Sequence, residues 1–259
     1  MSESVLGFQV ESSESSWFAG ELFRILFEET TRPRICTWLA CLNPHSYAVA
    51  RRDAAFSLAL RDANWLVPDG TGIVFASAIL GGSIRGRITG SDVFRGLHER
   101  MNVAGGTSVF FLGSTADTLR RIKRRMAEEY PRIRIAGSYS PAFKDSFCSR
   151  ESEQMISTIN AAAPDILWVG MTAPKQEKWI CENRHYLNVR FAGAVGAVFD
   201  FYAGHVKRSH PVFQRLGFEW LPRLIQQPRR LWRRTFVSAP IFLLDVLRAK
   251  MLALRIAKK

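Results

Sequence analysis

The sequence predicts an α/β domain built on a doubly wound, mostly parallel sheet, followed by a basic helical appendage. Three observations support this. Apolar runs of strand length alternate with segments of helical periodicity over residues 1–203. Short turns containing Gly or Pro join them, and no internal repeat interrupts the alternation, as expected of parallel strands covered by helices on both faces. Beyond these residues the alternation stops, so we divide the chain into a core, 1–203, and an appendage, 204–259.

Seven apolar segments predict the strands. Most are bounded by turn residues and contain β-branched or aromatic side chains. Val5–Val10 alternates weakly and predicts a short edge strand, and Arg132–Ser138 alternates Arg with Ile, which indicates an edge or half-exposed strand. In chain order the predicted strands are Val5–Val10, Arg34–Leu42, Trp65–Val67, Thr107–Leu112, Arg132–Ser138, Ile166–Val169 and Val189–Val195.

Segments with apolar residues three and four positions apart predict the helices. A polar cluster, Ser12–Ser16, is suited to cap the first of them, and Ser91 or Asp92 is the expected cap of the fourth. In chain order they are Phe18–Phe27, Ala48–Leu60, Gly72–Leu80, one opening at Ser91 or Asp92, Asp117–Glu129, Glu151–Ala162 and one beginning near Lys175.

The turn after Ile166–Val169 places cations at a helix start. Lys175, Gln176 and Lys178 fall at or near its first turn. Helices prefer acidic residues there, because free N–H groups and the macrodipole make that end positive. The lysines are explained either by plain solvent exposure or by an anion such as a diphosphate at the mouth of the sheet. Spacing alone leaves both explanations open.

A carboxylate stands at another strand end. Asp69 lies between Pro68 and Gly70, directly after Trp65–Val67. Asp is common in turns because its side chain bonds the backbone two residues on, and it also serves as a catalytic group at such strand ends. From these residues alone the turn-forming role is favoured.

Charge and composition restrict the partners. A net charge of +13 indicates an anionic partner: nucleic acid, acidic lipid or a phosphorylated substrate. After Gly204, thirteen Lys and Arg are opposed only by Glu219 and Asp245. The charge-interrupted apolar segment 235–259 fits a helix lying in a membrane interface, the alternative being a helix packed on the domain or in a dimer. No signal peptide or membrane span is predicted. The four cysteines predict reduced structural thiols in a cytosolic protein.

Ten motifs, in order and spacing, give the chain a close resemblance to the WecG/TagA/CpsF family of bacterial glycosyltransferases, from about Leu6 to Arg234. They are Leu42-Asn43-Pro44, Pro68-Asp69-Gly70-Thr71-Gly72, the segment 86–92, Phe111-Leu112-Gly113, the segment 164–170, the segment 173–179, the segment 195–204, Lys207-Arg208, the segment 217–224 and the segment 227–234.

The resemblance implies a Rossmann-like, inverting, metal-independent glycosyltransferase without a cofactor. It implies transfer of N-acetylmannosamine, its uronic acid or glucose from a UDP-sugar to a polyprenyl-diphosphate-linked saccharide during surface polysaccharide or exopolysaccharide synthesis. The absence of an Asp-x-Asp pair is consistent with metal independence. The expected location is cytoplasmic, peripheral on the inner face of the plasma membrane through the appendage. No nucleic acid is expected as a partner, and the oligomeric state stays open.

The resemblance also assigns site residues. Asp69 matches the catalytic base, which takes the acceptor hydroxyl proton. Cys41 stands where the family commonly has Thr, which puts the usual sugar preference in doubt. The further predicted substrate-binding residues are Cys41, Asn43 and Arg87 around the same pocket, Gly70, Gly72, Gly113, Gly170, Gly196 and Asp200 in the motifs, Lys175 and Gln176 on the nucleotide side, Lys207 and Arg208, and the phosphate-gripping Arg223, Arg230 and Arg233.

Two other function classes are compatible with part of the sequence. A nucleotide-dependent oxidoreductase is compatible with the predicted fold, but no G-x-G-x-x-G follows the first strand with an acidic residue about twenty positions on. A nucleic-acid-binding protein would explain the charge, but the appendage arginines alternate with Leu and Trp, which favours contact with a membrane.

Overall fold

A computed structural model describes residues 1–29, 36–205, 232 and 234–256. A six-stranded sheet forms its centre, and every neighbouring pair in it is parallel. A separate antiparallel hairpin is formed by β1 (Ser2–Val5) and β2 (Phe8–Glu11). The main sheet contains β3 (Thr37–Leu42), β4 (Trp65–Pro68), β5 (Ser108–Gly113), β6 (Arg134–Tyr139), β7 (Ile166–Gly170) and β8 (Phe191–Ala194). Their spatial order is β4-β3-β8-β7-β5-β6, which confirms the predicted doubly wound α/β fold.

Ten α-helices are assigned in the described part of the chain. Short π-helical segments lie at Arg24–Glu28 and Arg234–Ser238, and a 3₁₀ turn covers Arg184–Tyr186. The helices are α1 (Ser15–Phe23), α2 (Pro44–Ala50), α3 (Ala54–Asp62), α4 (Thr71–Leu80), α5 (Gly90–Ala104), α6 (Ala116–Glu129), α7 (Ser149–Ala162), α8 (Lys175–Asn183), α9 (Val198–Tyr202) and α10 (Ala239–Ile256).

Helices cover both faces of the sheet, so alternate residues of one strand enter two separate apolar layers. Trp38 belongs to the layer under α2, α3 and α10, whereas Leu39 belongs to the layer under α1 and α5, and both are fully buried. Leu167 and Trp168 of β7 divide in the same way. This double burial explains why strands such as β5 and β7 are continuous apolar runs in the sequence, whereas the edge strand β6 is half-exposed.

The order in which strands are added to the sheet reverses between β5 and β7, although the two strands are parallel. From β5 it continues to β6 on one side, and from β7 to β8 on the other, although β5 and β7 are neighbours. Parallel sheets bind ligands in the crevice outside the strand ends at such a point. Gly113 and Gly170, the last residues of these two strands, are paired in register there.

The appendage contributes to the core through its last helix. Phe242 and Val246 of α10 are buried in the same apolar layer as Trp38, and the Phe242 ring lies edge-on to Tyr47 at 5.2 Å. Asp245 accepts a hydrogen bond from the Tyr47 hydroxyl at 3.0 Å and pairs with Arg51 at 3.1 Å. None of the helices in the described segments is both long and apolar enough to cross a membrane.

The strand predicted over Val5–Val10 is wrong in its extent. Leu6 and Gly7 adopt left-handed backbone angles, with φ of 49° and 81°, and turn the chain between β1 and β2. The weak alternation therefore covers the hairpin turn and belongs to two strands that pair with each other and not with the main sheet.

Two helix predictions also need correction. The helix predicted over Ala48–Leu60 is broken in two, because the Asp53 side chain accepts a hydrogen bond from Phe56 N at 3.0 Å and caps a new helix, α3. The cap of α5 is Thr89, not Ser91 or Asp92. Asp92 instead completes a capping box, in which its carboxylate accepts a hydrogen bond from Thr89 N at 2.9 Å.

Candidate active site

A cavity of about 690 Å³ opens along the carboxyl edge of the sheet. The ends of β3, β7 and β8 and the segments after β5 and β6 form its walls. Its volume falls in the range of pockets that enclose a small organic ligand. Of the predicted site residues, its lining includes Cys41, Gly170, Lys175, Gln176, Gly196 and Asp200.

Glycine at the β5 and β7 ends lets the strands approach closely. Gly113 has a φ of +111°, and a Cβ there would lie 2.6 Å from the Gly170 carbonyl oxygen. A Cβ on Gly170 would lie 2.2 Å from the Phe199 ring. Both glycines are therefore required by packing behind the cavity wall, whether or not a ligand touches them.

Gln176 is buried and held from two sides. Its side-chain oxygen accepts a hydrogen bond from Met171 N at 3.1 Å, and its amide nitrogen donates to the Glu177 carboxylate at 2.8 Å. The carboxamide lies against Gly196, whose Cβ, if present, would be 3.4 Å from the amide nitrogen. Gln176 is therefore not part of a solvent-exposed first turn, and it forms part of the cavity wall.

The two lysines of this turn have different surroundings. Lys178 forms an ion pair with Asp53 at the start of α3 and thus holds two helices together. Lys175 lines the cavity, donates a hydrogen bond to the Lys144 carbonyl, and has its ammonium 5.2 Å from the Phe143 and Phe147 ring centres. Of the two, Lys175 is the one placed to meet an anion in the cavity.

Asn43 and Asp69 lie side by side at the ends of β3 and β4. Asp69 N donates to the Leu42 carbonyl at 2.8 Å, which extends the pairing of these strands by one residue. The Asn43 amide nitrogen lies 3.4 Å from the Asp69 carboxylate. The Asn43 oxygen accepts hydrogen bonds from His45 N and Ser46 N and caps α2. Asn43 therefore has two contacts: its side-chain oxygen caps α2, and its amide nitrogen contacts the predicted base, Asp69.

Backbone contacts bring the other predicted pocket residues to Asp69. Ile88 N donates to the Pro68 carbonyl at 2.9 Å, so half-buried Arg87 stands next to the strand end that carries Asp69. Gly70, with a φ of +105°, precedes α4. A Cβ on Gly72 would lie 2.5 Å from the Pro44 ring. The Pro44 ring at the start of α2 therefore packs directly against the Gly72 backbone at the start of α4.

Cys41 connects the cavity to the Asp69 region. Burial, followed by the negative charges of Asp69 and Glu177, raises the pKa of its thiol well above the usual value. The thiol therefore stays protonated at neutral pH and is a weak hydrogen-bonding group, not a nucleophile.

Five predicted phosphate and substrate contacts lie outside the described residues, and their roles stay predictions: Lys207, Arg208, Arg223, Arg230 and Arg233. Within the described segments, no three His, Cys, Asp or Glu side chains gather as metal ligands. Glu177 is a site residue that the sequence did not predict: it is 3% exposed and has one carboxylate oxygen without a hydrogen-bond partner. An acidic residue in a first helical turn is ordinary, so no local signal marked it.

Burial raises the pKa of the Glu177 carboxyl to about 7, well above the value of about 4.5 usual for Glu. As pH rises from about 4.5 to 7, the unfolded chain loses this proton before the folded chain does, so stability falls. We expect Glu177→Gln to remove this dependence, which corresponds to about 2 to 3 kcal/mol between pH 5 and 8. Urea unfolding at both pH values measures it, with Glu182→Gln, exposed on the same helix, as the control. An equal pH response in wild type and Glu177→Gln would contradict the assignment.

Comparison with known proteins adds a family match over nearly the whole chain. The model described as "Glycosyl transferase WecG/TagA/CpsF family" matches residues 4–255. An N-acetylglucosaminyldiphosphoundecaprenol N-acetyl-beta-D-mannosaminyltransferase of Bacillus subtilis (strain 168) is 32% identical over 81% of this chain and 78% of its own. A protein of the same name from Staphylococcus aureus (strain MW2) is 28% identical over 93% of this chain and 87% of its own.

Proposed function

The chain belongs to the WecG/TagA/CpsF family and is a glycosyltransferase, and on this basis we propose that it transfers a sugar from a UDP-sugar to a polyprenyl-diphosphate-linked saccharide. The relatives' names give N-acetylmannosamine as the transferred sugar and N-acetylglucosaminyl-diphosphoundecaprenol as the acceptor. We take both as the first substrates to test, with N-acetylmannosaminuronic acid and glucose as alternative sugars. The carrying observation is the Asn43–Asp69 pair at the ends of β3 and β4. Neither residue lines the cavity of about 690 Å³, but Cys41 of β3 lines it and interacts electrostatically with Asp69.

Asp69 acts as the general base in this proposal. The acceptor hydroxyl oxygen attacks the anomeric carbon from the face opposite the diphosphate, and its proton passes to the Asp69 carboxylate. The bond between the anomeric carbon and the diphosphate oxygen breaks, UDP leaves with that electron pair, and the configuration inverts. The Asn43 amide donates to the Asp69 carboxylate at 3.4 Å and orients it at the end of β4. A base requires the ionised carboxylate.

The leaving diphosphate is neutralised by cations of the chain itself. Lys175 stands on the cavity wall, and Gln176 presents a fixed carboxamide beside it. Arg223, Arg230 and Arg233 supply the remaining positive charge, since guanidinium groups bind phosphate in a bidentate manner. Placing these charges before the reaction stabilises the negative charge that develops on UDP. The reaction accordingly proceeds without a metal ion.

The enzyme works at the membrane surface as a peripheral protein, on the cytoplasmic face where nucleotide sugars are available. Its α10 helix exposes a row of large apolar side chains, and its two exposed charged residues, Arg248 and Arg255, are basic, as is the half-buried Lys250. An amphipathic basic helix of this kind lies in the headgroup region of a membrane with anionic lipids. This location brings the site to an acceptor anchored by a polyprenyl chain.

A donor and acceptor screen tests the proposal. Purified protein is incubated with each UDP-sugar and with N-acetylglucosaminyl-diphosphoundecaprenol in detergent, and products are identified by mass. We expect one UDP-sugar to add a single hexosamine or hexose unit to the acceptor with release of UDP. If every UDP-sugar is left unconsumed while the protein is folded, the proposed donor class is wrong.

A further inference from the structure

Helix α4 exposes apolar surface on the same side of the molecule as α10. Phe75 of α4 is 67% exposed, although a large aromatic side chain normally avoids water. The whole of α4, residues 71–80, contains no charged residue. It begins two residues after Asp69, so an apolar helix surface starts directly at the proposed base.

The rotation of α10 shows where its apolar row points. Successive residues of a helix are turned by about 100°. Phe242 and Val246 face the core, and Asp245 faces α2, where it contacts Tyr47 and Arg51. On the other flank of the buried stripe lie Leu243, Leu247 and Leu254, which are 43 to 51% exposed. Because α10 packs on both α2 and α4, that flank is the one beside α4.

We infer that α4 and α10 form one membrane-contact surface, in which Phe75 enters the bilayer together with Leu243 and Leu247. The inference rests on the proposed function, because it concerns how that site meets its membrane-anchored acceptor. The occupant is the surface of an anionic lipid bilayer. Charge complementarity supports this choice: the exposed charges of α10 are basic, and its one acidic residue, Asp245, is 14% exposed and paired.

The turn that leads into α10 connects this surface to a neighbour of the proposed base. Phe236 is 61% exposed, and Ser238, which follows closely, is hydrogen-bonded to His45 at 2.9 Å. His45 lies two residues from Asn43, whose amide contacts Asp69. An apolar surface bounded in this way holds the carboxyl edge of the sheet at the headgroup level. A diphosphate anchored in the bilayer could then reach Asp69 without leaving the membrane.

The test compares two exposed apolar residues on opposite sides of the molecule. Phe75→Ser is expected to weaken partition onto vesicles containing phosphatidylglycerol by about tenfold. Val103→Ser is the control, since Val103 is 75% exposed on α5, which packs on the opposite face of the sheet. We expect the Val103 variant to sediment with these vesicles as the wild type does. Equal partition of Phe75→Ser and wild type would overturn the inference.

Two further measurements separate this inference from the proposed reaction. Transfer to a short-chain, water-soluble diphosphate acceptor should be the same in Phe75→Ser and wild type. If wild type itself fails in that assay, the proposed reaction is wrong, while the vesicle result still tests the membrane-contact surface.

The second measurement uses an environment-sensitive NBD label on Phe75→Cys, in a Cys148→Ser background. Its fluorescence emission should shift to the blue when vesicles are added. A shift at Leu247→Cys with none at Phe75→Cys would confine the contact to α10 and overturn the inference.

Discussion

Asp69→Asn is expected to lower kcat by roughly 10² to 10⁴ while the affinity for UDP stays as in wild type. Asn keeps the size of Asp and its ability to bond the backbone in a turn, so the turn between β4 and α4 should persist. It cannot accept the proton of the acceptor hydroxyl. The loss should therefore appear in turnover and not in nucleotide binding, as measured by single-turnover transfer and by calorimetry with UDP.

Asp117→Asn is the matched control for this variant. Asp117 is an exposed carboxylate on α6, paired with Arg120 and Arg121 at the surface, and its removal should leave turnover unchanged. If Asp69→Asn instead lost UDP binding and thermal stability together, Asp69 would be a turn-forming residue without a catalytic role.

Replacing three apolar residues of α10 is expected to have the second largest effect. Leu243, Leu247 and Met251 are 43 to 54% exposed and lie on the outer side of the helix. Changing all three to Gln should reduce binding to phosphatidylglycerol vesicles by more than about 100-fold, because each loses apolar area that the bilayer would cover. Phe242 and Val246 remain in place, so the core should stay intact.

The same variant distinguishes a membrane surface from a dimer interface. Sedimentation equilibrium should give the same mass for variant and wild type, and transfer to a soluble acceptor should be unaffected. A change from dimer to monomer with unaltered vesicle binding would show that α10 packs against a second copy. Shortening the chain before α10 is a poorer test, since it removes two fully or nearly fully buried core side chains.

The main-sheet strands other than the half-exposed edge strand β6 could be predicted from the sequence because they are largely buried on both faces. The segment predicted as Ile166–Val169 is β7, Ile166–Gly170, and Thr107–Leu112 is β5, Ser108–Gly113. Such strands are continuous apolar runs in the sequence, because both of their faces lie under helices. The break between α2 and α3 was not predictable in the same way. There the apolar spacing continues, and one side chain, Asp53, restarts the helix.

The site could be predicted only as far as strand ends reveal it. Asn43 and Asp69 each follow a strand, but they come into contact because β3 and β4 are neighbours in the sheet. The order of strands in the sheet could not be predicted from the sequence. The pairing of Lys178 with Asp53, 125 residues earlier, depends on α8 packing against α3. The burial of Glu177 likewise results from packing around α8, and its local sequence resembles an ordinary helix start.

The most direct test of the central claim is the transfer rate after metal removal. We propose that Asp69 and lysine and arginine side chains carry out the chemistry, so protein treated with EDTA should transfer sugar at the rate of untreated protein. Adding Mg²⁺ or Mn²⁺ should not raise that rate. A reaction that stops in EDTA and resumes with either ion would contradict the account.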